Sequence, residues 1–137
     1  GSIGIEYTYM VLEEDRNWFQ TYIETKINQI LFSVEKKKRI LEKLNQTVAF
    51  EEFLHKKYVG QKRFSLEGGE STIPALDAII HKAANLGVEE VIIGMAHRGR
   101  LYVLANIMGK TYDHIFNEFE GNALPDMTMG DGDVKYH

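Results

Sequence analysis

Val88-Glu89-Glu90-Val91-Ile92-Ile93-Gly94-Met95-Ala96 runs directly into His97-Arg98-Gly99-Arg100-Leu101. The first nine residues are β-branched and nearly continuously apolar at their centre, the pattern of a strand covered on both faces in a parallel sheet. Leu101, Val103, Leu104, Asn106 and Ile107 fit a helix immediately after it. A buried strand feeding a helix is the repeating unit of an α/β layer. Such a strand carries His97 and Arg98 to its carboxyl end, the edge where ligands collect in open α/β sheets.

Two readings of this junction stand side by side. In the first, the helix start offers unpaired N–H groups and a partial positive charge to an anion. Arg98 then adds a permanent charge suited to phosphate or carboxylate, and Gly94 and Gly99 keep the approach clear. In the second, Arg98 and Arg100 pair with acidic neighbours and His97 is simply packed. Arginine at a helix start opposes the dipole, so both readings require a partner for the guanidinium groups.

Working outward, Ser71 and Thr72 read as caps of a preceding helix with Pro74 in its first turn, where a missing N–H costs little. Ile73, Leu76, Ile79, Ile80 and Ala83 form its buried face, and Gly87 closes it. Arg63-Phe64-Ser65-Leu66-Glu67 before Gly68-Gly69 alternates and then breaks, which predicts a strand or extended segment. Farther back, Phe50, Phe53, Leu54 and Tyr58 predict a helix over about 47–58 that ends at Gly60. A separate helix after an N-cap at Ser33 carries Val34, Ile40, Leu41 and Leu44 inside, with Lys36–Arg39 as a solvated face. The stripe Leu12, Phe19, Tyr22, Ile23, Ile27, Ile30 and Leu31 predicts a first helix over 11–31, with Glu13, Glu14 and Asp15 in its first turn. Downstream, Thr111 caps a last helix bearing Tyr112, Ile115, Phe116 and Phe119 and ending at Gly121, and loop follows.

The expected fold class is therefore α/β and helix-rich: a helical amino-terminal region over 1–60, then the incomplete start of a parallel-sheet domain over 61–137. With 137 residues, the chain is one modest domain's worth, and 44% hydrophobic content suffices for a core. Sixteen basic against twenty acidic residues leave a charge of −4, which argues against a dedicated nucleic-acid binder. Without cysteine there is neither a disulfide framework nor a thiolate metal site. No apolar run approaches the roughly 20 residues of a membrane span, and the amino end lacks the basic flank and apolar stretch of a signal peptide. The expectation is a soluble protein of a reducing compartment. Internal prolines and a charged last segment suggest a piece of something longer.

Gly130-Asp131-Gly132 reads by itself as a turn. His55, His81 and His114 lack metal-ligand spacing and read as surface or rim residues, and no metal cluster is expected. Phosphate-loop, dinucleotide and nucleophile-elbow motifs are absent from the sequence.

Four stretches occur in order: Ile3-Gly4-Ile5-Glu6-Tyr7, Lys62–Glu70 (KRFSLEGGE), Gly94–Leu101 (GMAHRGRL) and Gly132–His137 (GDVKYH). Together they resemble the thiamine-dependent first component of the 2-oxoglutarate dehydrogenase complex, over essentially the whole chain. The family enzyme is several times longer, so the resemblance implies an internal, amino-proximal piece that opens the thiamine-diphosphate-binding domain. It further implies a homodimer that binds thiamine diphosphate and Mg²⁺, decarboxylates 2-oxoglutarate and passes the succinyl unit to a lipoyl group on the dihydrolipoyl succinyltransferase component, in the tricarboxylic acid cycle.

Carried over by motif, His97 and His137 match the family's two active-site histidines, expected to hold the substrate's carboxylates and assist proton movement. Arg98 matches the position that contacts thiamine diphosphate. Asp131 is not carried over as a ligand: the family's magnesium-binding residues lie farther along. Tyr102 stands where the family more commonly has asparagine. The resemblance places the protein in the bacterial cytoplasm, or in the mitochondrial matrix of a eukaryote. A 2-oxoadipate-preferring relative or a 2-oxoglutarate decarboxylase shares these motifs, and a non-catalytic helical interaction module is the alternative from another class.

Overall fold

The computed structural model describes residues 4–26 and 31–120. These contain five helices: α1 (Glu13–Lys26), α2 (Val34–Lys57), α3 (Thr72–Asn85), α4 (Arg100–Asn106) and α5 (Tyr112–Phe119). The chain divides into two compact units between Lys36 and Lys37.

In the first unit, α1 starts with Glu13, Glu14 and Asp15 where the dipole favours anions, but buries none of its residues. The Arg16 guanidinium donates to the Met10 carbonyl (2.9 Å) and pins the preceding segment. Tyr7 meets Phe19 edge to face, and Trp18 stacks on Tyr22. Ile27 and Ile30, expected on the same stripe, lie outside the described residues. Ser33 caps α2 as its position suggests, accepting the Lys36 N–H at 3.2 Å.

Where the sequence suggested two helices, α2 runs unbroken for 24 residues. The polar stretch Asn45-Gln46-Thr47 does not interrupt it. The Thr47 hydroxyl is buried and donates to the Lys43 carbonyl one turn back (2.8 Å), so its polarity is satisfied within the helix. Lys43 in turn donates to the Asn106 carbonyl at 2.9 Å. Nor is Arg39 merely solvated. It grips Asp77 of α3 through Nε (2.6 Å) and Nη2 (2.9 Å), and this hydrogen-bonded pair holds the Asp77 carboxyl below its ordinary value.

The core of the second unit comprises Phe50, Leu54 and Tyr58, Leu66, Ile73 of α3, Leu101, Tyr102 and Val103 of α4, and Ile115 of α5. Phe53, assigned to the same face from its spacing, is 42% exposed, and Ile79 of α3 is exposed as well. Helix α3 ends as the sequence requires. Gly87 takes φ +87°, its N–H bonds the Ala84 carbonyl and the Val88 N–H bonds the Ala83 carbonyl, a Schellman closure. Its beginning departs from expectation. Ser71 is itself helical and makes no side-chain cap; backbone turn bonds Thr72 N–H to Gly69 and Ile73 N–H to Glu70 lead in instead.

Both expected strands fail to form among the described residues, so the helix-rich part of the fold expectation stands and the opening of a parallel sheet does not appear. Arg63–Glu67 is a loop in which Phe64 takes φ +47°, incompatible with a continuous extended run. Val88–Ala96 has no regular secondary structure. Ile93 packs against the core, while Val88, Val91, Ile92 and Met95 are exposed. A strand exists only through hydrogen bonds to a neighbour, and among the described residues this segment makes no ladder of them.

Candidate functional site

The turn His97-Arg98-Gly99 leads into α4 and carries the residues singled out from the sequence. Its geometry is set from below. Gly99 is buried at φ +74°, its N–H donates to the Phe64 carbonyl (2.8 Å), and the Arg100 N–H donates to the His97 carbonyl (3.1 Å). Two donors expected to face an anion are thus already used by the backbone. With only seven residues in α4, the helix start is a minor contributor to any anion site, and the guanidinium of Arg98 is the group left to do that work.

His97 and Arg98 are both exposed. The Arg98 Nη2 lies 3.4 Å from the Glu67 carbonyl, a long contact. Among the described residues, neither Arg98 nor Arg100 forms an ion pair. No acidic neighbour among the described residues neutralises these two charges. The His97 imidazole lies against the Phe64 ring, centroids 4.4 Å apart and tilted 44°. His137 and the Gly130–Gly132 tripeptide fall outside the described residues, so His97 and Arg98 are the sequence-predicted site residues that the structure places together.

A group the sequence reading missed supports the turn from the far side. Glu51 of α2 accepts from Arg63 Nε through one oxygen (3.2 Å) and from the Leu66 N–H through the other (3.3 Å). Arg63 also reaches the His55 Nδ1 at 2.8 Å, so its guanidinium bridges two α2 side chains one turn apart. Tyr102, fully buried on α4, has its hydroxyl beside this carboxylate but without a hydrogen bond of acceptable geometry. Burial and then the adjacent Glu51 charge push the Tyr102 phenol well above its ordinary value. Burial likewise raises Glu51, but the surrounding polar groups outweigh it and leave the carboxyl below its ordinary 4.5; Arg63 and the Leu66 N–H supply the formed bonds. The only advance signal was Glu51's place between Phe50 and Leu54, on the edge of an apolar stripe.

The sign of the resulting pH dependence is fixed. A carboxyl depressed in the folded state stabilises the fold fully above its unfolded value, and that contribution disappears as pH falls through the lower folded value. Glu51→Gln is expected to cost about 1 kcal/mol at neutral pH, the low end for a charged hydrogen bond with a partly solvated rim. The gap to the parent chain narrows in acid below the ordinary carboxyl value. Urea melts at pH 7 and in steps below pH 4.5 measure both; a gap that stays constant with pH counts against the ionised Glu51 as the anchor.

A concavity of about 690 Å³ is lined by Lys43, Gln46, Ala105, Asn106, Lys110, Thr111, Tyr112 and Asp113, and shares no residue with the His97 turn. Among the described residues there is no cluster of three or more His, Asp or Glu side chains suited to a metal ion, and no helix is long and apolar enough to cross a membrane.

Comparison with known proteins gives this geometry its context. Residues 42–137 match the family described as Dehydrogenase E1 component. The chain is 56% identical over 135 residues to the multifunctional 2-oxoglutarate metabolism enzyme of Mycolicibacterium vanbaalenii, covering 98% of this chain and 11% of that protein. It is 51% identical over 137 residues to the 2-oxoglutarate dehydrogenase E1 component of Cupriavidus necator, covering all of this chain and 14% of the relative. Against the protein of the same name from Brucella canis, identity is 47% over 138 residues with the same coverage. The chain spans 11–14% of the length of these relatives. It belongs to the dehydrogenase E1 component family.

Proposed function

We propose that this chain is an amino-proximal part of a thiamine-dependent 2-oxoglutarate dehydrogenase. The reaction removes CO₂ from 2-oxoglutarate and transfers the remaining succinyl group to a lipoyl disulfide. One sulfur becomes the thioester and the other is reduced to a thiol. The acceptor belongs to the dihydrolipoyl succinyltransferase component, and the working enzyme is a homodimer. The full-length relatives named for 2-oxoglutarate support the substrate, and their bacterial sources support a cytoplasmic setting.

The observation that carries the reading is the exposed pair His97 and Arg98 on a turn braced from beneath by residues 64–67. Arg98 suits a diphosphate: its charge is permanent, and no described carboxylate competes for it. Thiamine diphosphate, when bound, supplies the electron sink that decarboxylation of a 2-oxo acid needs. His97 and His137 are assigned as the catalytic imidazoles, His97 holding a substrate carboxylate and exchanging a proton at a ring nitrogen. The Mg²⁺ ligands are assigned to the rest of the longer protein. Residues 61–137 open its α/β domain, where Val88–Ala96 becomes a strand of a parallel sheet once following chain pairs with its edge. The exposed Val88, Val91 and Ile92 are the faces such a sheet would cover.

One observation favours a second reading. The 56% identical relative is named for several reactions of 2-oxoglutarate, so release of the four-carbon aldehyde in place of transfer to a lipoyl group is the alternative outcome. Assays of the longer protein with thiamine diphosphate and Mg²⁺, on 2-oxoglutarate and on 2-oxoadipate, with and without lipoyl acceptor, distinguish these. Acceptor-dependent turnover that prefers 2-oxoglutarate is expected. Acceptor-independent aldehyde release favours the decarboxylase, preference for 2-oxoadipate assigns the longer diacid, and turnover of neither acid removes the enzymatic reading.

A further inference from the structure

We infer that Phe64 is a positioning residue for His97, held in its left-handed conformation by the Glu51 carboxylate; the inference rests on the assignment of His97 to the active site. Among the described residues, Phe64 is the one non-glycine residue with positive φ, at +47°. L-residues with a bulky Cβ substituent adopt this region only against a steric cost, and such outliers persist where the surroundings over-determine them.

Here the surroundings can be named. The two oxygens of Glu51 bracket Phe64 in sequence, one on the Arg63 guanidinium and the other on the Leu66 N–H. Between these anchors the chain is turned so that Phe64 touches both ends of the site turn. Its carbonyl accepts the Gly99 N–H at 2.8 Å, and its ring meets the His97 imidazole at 4.4 Å between centroids. Among the described residues, His97 makes no side-chain hydrogen bond and this one ring contact. An exposed imidazole without it is free to change rotamer. The phenyl ring therefore selects the orientation in which His97 meets substrate, and the strained backbone is what brings the ring there.

The test uses the longer protein. Phe64→Asn keeps a residue that tolerates left-handed φ and keeps the backbone acceptor for Gly99, but deletes the ring. Turnover is expected to fall roughly tenfold, carried mainly by kcat, because misorientation of a reacting group costs rate even where binding survives. Phe64→Tyr retains the ring and is expected to restore kcat to within about twofold of the parent, with melting curves of the two variants alike. In a His97→Ala background, Phe64→Asn is expected to add less than about twofold, since residues that act through one another are not additive. If His97→Ala is crippled while Phe64→Asn matches the parent, Phe64 does not position His97, although the active-site assignment survives. An equal loss from Phe64→Asn with and without His97 also overturns the inference. If His97→Ala itself retains parental turnover, the functional reading fails and this one with it.

Discussion

His97→Ala in the longer protein is expected to lower turnover of 2-oxoglutarate by about 10²–10⁴-fold, the usual worth of a placed proton-transfer group. The dimer and the melting temperature are expected to persist, because the imidazole is exposed and lies outside the core. An exposed histidine substituted by alanine normally changes stability by less than about 0.5 kcal/mol. Loss of rate without loss of fold is therefore the signature that separates a chemical role from a packing role. His137→Ala is expected to behave in the same way, on the strength of the motif it shares with the family. Steady-state kinetics and size-exclusion chromatography of each variant provide the check. Parental turnover in His97→Ala leaves the helical interaction module as the better description. A rate loss accompanied by dissociation or unfolding points instead to a structural role for the turn.

The same turn shows how far residue order alone reaches. The helices were legible wherever their determinants are local. The acidic first turn of α1, Ser33 before α2, Pro74 and Gly87 on α3 and Thr111 before α5 each act within a few residues, and the structure places each inside or beside its helix. His97 and Arg98 were legible because a compact motif announces them.

What was not legible depends on contacts between distant segments. Thr47 reads as the start of a separate helix until its hydroxyl is seen bonded one turn back within a continuous α2, fully buried. Phe64 reads as a strand residue until Glu51, thirteen positions earlier in the chain, holds the residues on either side of it. Glu51 was not singled out at all, since nothing in α2 reveals that Arg63 and the Leu66 N–H converge on it. Val88–Ala96 has strand composition, but a strand is a relation between two segments, and composition supplies only one of them. The residues proposed to touch ligand were thus readable, whereas those that brace them from beneath were not.

Gly99→Ala is expected to destabilise the chain by about 2–5 kcal/mol, from two causes that can be measured apart. The first is conformational. At φ +74° an L-residue costs about 1–2 kcal/mol over glycine. The second is steric. A Cβ built on Gly99 falls 2.5 Å from Leu66 Cδ1 and 3.4 Å from its Cγ. Leu66 is only 8% exposed, so its side chain has little room to swing away, and overpacking of this kind costs about 1–3 kcal/mol. Leu66→Ala alone is expected to cost about 2–4 kcal/mol through the cavity it leaves. Combined with Gly99→Ala it removes the clash but not the backbone cost, so the double variant is expected to be more stable than the sum of the singles by about 1–3 kcal/mol. Urea melts of the three variants give that coupling directly. Because Gly99 carries the hydrogen bond that seats His97 and Arg98 over the Phe64 loop, the single variant in the longer protein is also expected to lose turnover. A Gly99→Ala chain within about 0.5 kcal/mol of the parent, or strictly additive energies in the double variant, means that the turn is not clamped against Leu66.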